Sequence, residues 1–247
     1  MIEGSEVIDF HGHPGRWGVS ETLPSTVIPA MDASGIDRSC LFDIWHPEGR
    51  RSNDITAGLV AENPDRFIGF AYVSPLLPET MVPELERAID ELGLNAIKLY
   101  PPFVGIPLSD PMWSPIYEFA NARELVVIWH TGIEAGSAPQ YIADVASQYS
   151  RAIFVAGHSG NCPPLRRQAI DAARDHANVY LETCSTFRTP GVIEQLVNEA
   201  GADRVLFGSD IPLMDPRAQL GKIIAADIGD EAKRLVLGGN ARRILKL

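Results

Sequence analysis

Short runs dense in β-branched and aromatic residues recur along the chain at a near-constant interval. They fall at residues 7–11, 39–44, 67–73, 95–100, 125–130, 153–158, 179–183 and 205–210, and each has the length and composition of a buried strand. Eight runs in 247 residues leave about 31 residues per unit, enough for one strand, one helix and two loops. Between the runs the apolar positions change to helical spacing. Residues 25–33 carry Val27, Ile28 and Met31 on one face, with Gly35 as a stop, and residues 83–92 carry Leu85, Ala88, Ile89 and Leu92, with Gly93 just beyond. Residues 142–149, 165–173, 192–200 and 218–226 show the same amphipathic pattern. The tail, 231–247, reads as a helix, a break at Gly238-Gly239 and a short closing helix.

Strands alternating with helices imply a parallel sheet covered by helices, and eight is the number that closes it. The expected fold is therefore α/β, a single (β/α)8 TIM barrel with C-terminal closing helices, filling 1–247 as one domain. An open doubly wound sheet usually carries a glycine-rich phosphate loop after its first strand, whereas this chain has His11-Gly12-His13-Pro14-Gly15 there. Composition adds mainly exclusions. With 45% hydrophobic and 21% charged residues the chain sits at the globular average, away from disordered, collagen-like and coiled-coil compositions. No apolar run reaches the ~18–20 residues of a bilayer span, and residues 1–6 lack the basic and apolar regions of a signal peptide. A formal charge of -11 disfavours nucleic acid and anionic membranes as partners. Cys40, Cys162 and Cys184 are odd in number and widely spaced, as expected of reduced thiols in a cytoplasmic protein.

The histidines change the picture most. His11, His130 and His158 each end a predicted strand, His13 lies two residues past His11, and Asp210 ends the eighth run. The C-terminal strand ends form the active-site face of such a barrel, so these five side chains are expected to converge on one mouth. Period-two alternation puts His11 with His13, His130 with Ile128 and Val126, His158 with Ala156 and Phe154, and Asp210 with Gly208 and Leu206. Taken singly, a histidine at a strand end is most often a hydrogen-bonded structural residue; the coincidence of several points to one site. Imidazoles and a carboxylate suit a divalent transition metal, zinc above all. His11, His13, His130 and Asp210 are the candidate ligands, and an open position would hold a water whose pKa the metal lowers to about 7.

These residues resemble the amidohydrolase superfamily, in particular the branch that includes aminocarboxymuconate-semialdehyde decarboxylases and related hydratases and lactonases. The likeness rests on Ile8-Asp9-Phe10-His11-Gly12-His13, Trp129-His130-Thr131-Gly132, Ala156-Gly157-His158-Ser159-Gly160 and Phe207-Gly208-Ser209-Asp210-Ile211-Pro212. The closing stretch from Leu237 to Leu245 also looks like the family's C-terminal signature. The resemblance implies that His11, His13 and His130 bind one metal ion, zinc with manganese as the alternative. It implies that Asp210 both ligates and relays a proton, and that His158 serves as general base or electrostatic anchor beside the metal-bound water.

Lys98 shares a strand face with Ala96 and Tyr100. A contact to a substrate carboxylate, a salt bridge inside the barrel and a bridging metal ligand are all open for it. Arg16, Trp17 and Arg188 fall in loops at the expected mouth and are further candidates for substrate binding; as isolated loop charges, Arg16 and Arg188 would ordinarily be solvated. Glu182 would orient a ligand or neutralise Lys98. The leading expectation is a metal-dependent hydrolase of a small, carboxylate-bearing lactone, ester or amide. The alternative is non-oxidative decarboxylation of a small aromatic or muconate-type acid, and a third reading is a catalytically inactive ligand-binding barrel. The expected partner is a small-molecule substrate, and a homodimer is open.

Overall fold

The computed structural model describes residues 5–14, 24–184 and 189–247. Eight strands lie side by side in chain order, every neighbouring pair parallel: β1 (Ile8–Gly12), β2 (Arg38–Leu41), β3 (Phe67–Tyr72), β4 (Ala96–Leu99), β5 (Val126–His130), β6 (Ile153–Gly157), β7 (Val179–Glu182) and β8 (Val205–Leu206). Parallel neighbours need crossovers. Helices supply them: α1 (Pro24–Ser34), α2 (Arg50–Glu62), α3 (Pro78–Glu86), α4 (Ser114–Arg123), α5 (Gln140–Ala146), α6 (Pro163–Asp175) and α7 (Val192–Ala200), followed by α8 (Pro216–Ala225), α9 (Gly229–Arg234) and α10 (Asn240–Leu245). β8 is short, and it is the irregular stretch after it that joins the last strand to the first. Phe10 N–H donates to the Phe207 carbonyl (2.8 Å), Asp210 N–H to the His11 carbonyl (2.8 Å) and His13 N–H to the Ile211 carbonyl (2.7 Å). Asp9 reinforces the seam by accepting from Ser209 N–H (2.8 Å) and Oγ (2.5 Å). The fold is the expected (β/α)8 barrel.

Two apolar layers follow from strand alternation. Phe10, Phe70, Ala96, Ile128, Val155 and Leu206 belong to the cluster inside the barrel, which Ala241, Ile244 and Leu245 of α10 join at its N-terminal end. Leu41, Ile97, Val127, Phe154 and Leu181 face outward against Met31, Leu85, Ile116, Ile142 and Leu196 of the helices. Among the described residues no helix is long and apolar enough to cross a membrane.

The helices depart from the sequence pattern in instructive places. α2 was invisible to hydrophobic periodicity because its buried stripe is polar: Ser52, Asn53 and Thr56. Asn53 accepts from Tyr72 N–H (2.7 Å) and donates to the Tyr72 carbonyl (3.1 Å), and Ser52 donates to Asp43 (2.6 Å). α3 starts at Pro78, ahead of the expected residue 83, since proline in a first turn loses no hydrogen bond. α4, which is not among the helical segments expected from the sequence, likewise opens on Ser114-Pro115. The expected break at Gly238-Gly239 is not a break. The chain stays helical through a π turn, Leu235–Gly239, into α10. Gly238 is there for close approach, because a Cβ on it would run into the Glu6 carbonyl.

One substitution type therefore has opposite signs in two helical positions. Gly238→Ala is expected to lower unfolding stability by about 1–3 kcal/mol through overpacking. Gly221→Ala in α8, where an added Cβ meets nothing within 4 Å, is expected to raise it by about 0.5–1 kcal/mol. Denaturant midpoints of the two variants check both signs.

Candidate functional site

All five expected side chains lie at the C-terminal mouth and are largely buried, but they reach it by different means. His130 follows Val126 and Ile128 of the interior cluster, as alternation requires. His158 does not. Phe154 and Ala156, its supposed face-mates, pack outward against the helices, while Val155 faces inward. His158 turns into the mouth because its own φ is 64° and that of Ser159 is 44°, left-handed conformations that non-glycine residues adopt only when their surroundings impose them. On β1, Ile8 and Phe10 face inward, yet His11 packs on Phe42 in the same interior (ring centroids 4.9 Å). A register irregularity between Asp9 and Gly12 lets consecutive residues share that side. Asp210 is also left-handed, with φ 65°.

Hydrogen-bond chemistry fixes what the imidazoles present. His13 Nδ1 lies 3.1 Å from the Phe42 carbonyl and His158 Nδ1 lies 2.8 Å from the Cys184 carbonyl. A carbonyl only accepts, so both Nδ1 atoms carry a proton, and in a neutral ring of this tautomer Nε2 is left with the lone pair. His11 Nδ1 faces the Glu182 carboxylate at 2.9 Å, and its Nε2 receives Lys98 Nζ at 3.3 Å. His11, His13 and Asp210 then bring one donor atom each to within 4.8 Å of one another. Asp210 Oδ1 is 3.4 Å from His13 Nε2 and 3.9 Å from His11 Nε2. It is buried without a hydrogen-bond partner among the described residues. Lone pairs converging on an orphaned carboxylate oxygen leave a place that a cation satisfies. Two nitrogens and one oxygen are a donor set for a divalent transition metal.

Protonation is arranged to match. Burial pushes His11 well below its ordinary value and lowers His130, and it brings His158 down to about 3 with help from His130. Burial would raise Asp210, but the close approach of His13 and the fields of His158 and Lys98 outweigh it and hold the carboxyl at about 2. At neutral pH the site thus holds the Asp210 anion beside neutral His11, His130 and His158.

His130 stands outside the converging trio. Its Nε2 lies 3.3 Å from Glu134, a carboxylate in the loop after β5 that the sequence reading passed over, although it sits four residues from His130. Lys98 is fully buried below the mouth, with its ammonium 4.5 Å from the centre of the Phe42 ring. Burial lowers it to about 8, and among the described residues no carboxylate lies within ion-pair distance of it. Arg16, Trp17 and Arg188 lie outside the described residues. A small cavity, about 70 Å³, is lined by His13, Ile44, Trp45, Tyr100, His130, His158, Asp210 and Leu213. Trp45 and Tyr100 were not expected there. Tyr100 was legible in principle, because it shares the Lys98 face of β4.

Fold and donor set together define a (β/α)8 barrel with a candidate cation centre at its C-terminal mouth. A family model described as amidohydrolase matches residues 8–247, and the chain belongs to that family. Gamma-resorcylate decarboxylase of Polaromonas sp. (strain JS666 / ATCC BAA-500) is 27% identical over 90% of this chain and 83% of its own length. Two solved structures share the fold. One is 2,6-dihydroxybenzoate decarboxylase from Rhizobium, with a TM-score of 0.79, 20% identity and coverage of 98% of this chain and 99% of that one. The other is 5-carboxyvanillate decarboxylase from Novosphingobium aromaticivorans, complexed with manganese and 4-hydroxy-3-methoxy-5-nitrobenzoic acid, with a TM-score of 0.80, 20% identity and coverage of 99% and 97%.

Two measurements test the site. The double variant His11→Ala/His13→Ala is expected to lose bound metal by elemental analysis while keeping its far-ultraviolet dichroism; full metal occupancy would refute the ligand assignment. In chelator-treated protein, His158 takes up a proton only on unfolding between its folded value of about 3 and an unfolded value near 6.5. Its contribution to stability is present above pH 6.5 and is lost as pH falls through that window, at up to about 1.4 kcal/mol per pH unit. His158→Asn should flatten the dependence of the denaturation midpoint on pH by up to one proton.

Proposed function

We propose that the chain is a metal-dependent decarboxylase that releases carbon dioxide from a small aromatic or muconate-type carboxylic acid. The observation that carries this choice is the alignment of nine-tenths of the chain with a gamma-resorcylate decarboxylase. It favours carbon–carbon cleavage over the hydrolysis of a lactone, ester or amide that the donor set alone brings to mind. The mouth is compatible with a flat substrate, since Trp45 and Tyr100 wall the cavity beside the imidazoles. The metal would be held by His11, His13 and Asp210, with His130 as the fourth ligand once its Nε2 leaves Glu134. Zinc is the ion this donor set favours, and manganese is the ion in the Novosphingobium relative's structure.

When bound, the ion would supply a fixed positive charge and Lewis acidity for the substrate's oxygens. The chain's own residues handle the proton. Asp210, held at about 2, enters the reaction as a base able to take the proton of a ring hydroxyl beside the carboxylate. It returns that proton to the ring carbon bearing the carboxylate. The bond to the carboxylate then breaks, its electron pair goes back into the ring as a phenolate, and carbon dioxide leaves. A proton from solvent completes the phenol. His158, anchored through Nδ1 to the Cys184 carbonyl, presents an unprotonated Nε2 that can accept a hydrogen bond from a second substrate hydroxyl or share the proton.

The test is a panel of hydroxybenzoates, 2,6-dihydroxybenzoate included, and muconate-type acids, incubated with Mn2+ or Zn2+. Carbon dioxide should form in step with the decarboxylated product, and Asp210→Asn should slow it by about 10²–10⁴-fold. Opening of lactones, esters or amides, with no carbon dioxide from any acid, would return the reading to hydrolysis.

A further inference from the structure

Glu182 ends β7 directly beneath the site, fully buried. A carboxylate in that position must have every lone pair answered. Its partners are all donors, and they all belong to the mouth. Oε2 accepts from His11 Nδ1–H (2.9 Å), from His158 N–H (3.0 Å) and from the Cys184 thiol (3.0 Å), and Oε1 accepts from Cys184 N–H. Room for the group is made by Gly208, two residues past β8, where a Cβ would collide with the carboxylate. Nothing pairs it with Lys98, so of the two roles open to it in the sequence, orienting a ligand is the one its contacts bear.

We propose that Glu182 is the positioning residue of this centre. The single carboxylate keeps the proton on Nδ1 of His11, so that Nε2 faces the ion. It also ties down the left-handed turn that delivers His158. This rests on His11 being a metal ligand. A ligating histidine whose other nitrogen donates to a carboxylate is held in one tautomer and one orientation, and loss of such a partner weakens metal binding by about 10–100-fold. Both carboxyl oxygens face donors; an amide of the same shape carries one acceptor and one donor, and its NH2 would face an N–H or S–H.

The experiment is Zn2+ affinity by competition with a chromogenic chelator, with the visible spectrum of the Co2+-loaded protein as a second readout. Glu182→Gln is expected to bind Zn2+ about tenfold more weakly than wild type, and Glu182→Ala about 100-fold. Both should shift the Co2+ bands, and the chelator-treated forms should melt within a few degrees of wild type. Wild-type affinity and an unshifted Co2+ spectrum in both variants would overturn the proposal. So would variants that melt much earlier yet bind Zn2+ with wild-type affinity in the folded fraction, because that is what a purely structural carboxylate does. Failure of the wild type itself to bind Zn2+ or Co2+ would instead remove the metal-centre reading, and this proposal with it.

Discussion

The closure of the sheet between its first and last strands is the constraint on which the rest depends. A parallel sheet of eight strands has two raw edges until β1 meets the stretch after β8, and unpaired edges in an apolar shell are expensive. The seam is built from backbone bonds at Phe10, His11 and His13 on one side and Phe207, Asp210 and Ile211 on the other. Those residues include three candidate metal ligands. Closing the barrel and assembling the donor trio are therefore one event. The Asp9–Ser209 bonds serve the fold and the site at once.

The mouth concentrates what a barrel core ordinarily avoids. Asp9, Lys98, Glu182 and Asp210 are all buried. Burial lifts Asp9 to about 7 and Glu182 to about 8 and pulls Lys98 down to about 8. His158, Ser159 and Asp210 have positive φ. Each feature opposes stability locally, and each is held by the two apolar layers around it. Strain and desolvated charge gathered at one end of an otherwise regular scaffold is the usual division between frame and function.

The frame was legible in the sequence because its signal is repetitive: eight buried runs at even spacing leave few alternatives, and all eight hold a strand. The polar stripe of α2 and the proline-led starts of α3 and α4 were not, since hydrophobic periodicity says nothing about either. In the site, residue identity was more legible than geometry. His130 and Lys98 obey strand alternation. His158 and His11 arrive through a left-handed turn and a bulge, which alternation cannot foresee. The partner of His130, Glu134, comes from a short loop with no pattern to mark it. Glu182 was visible as a charged residue in a strand, but which side chain it answers is set by packing across the barrel.

The seam also has a meaning in time. Asp210 leaves the ribosome about 200 residues after His11 and His13. At roughly 5–20 residues per second, the histidine pair waits on the order of 10–40 s for the carboxylate that completes its site. Throughout that interval the growing chain holds only part of a ligand set and an unclosed sheet. The complete candidate donor set therefore exists only after the stretch following β8 has emerged, so an ion taken up as proposed would meet a nearly finished barrel.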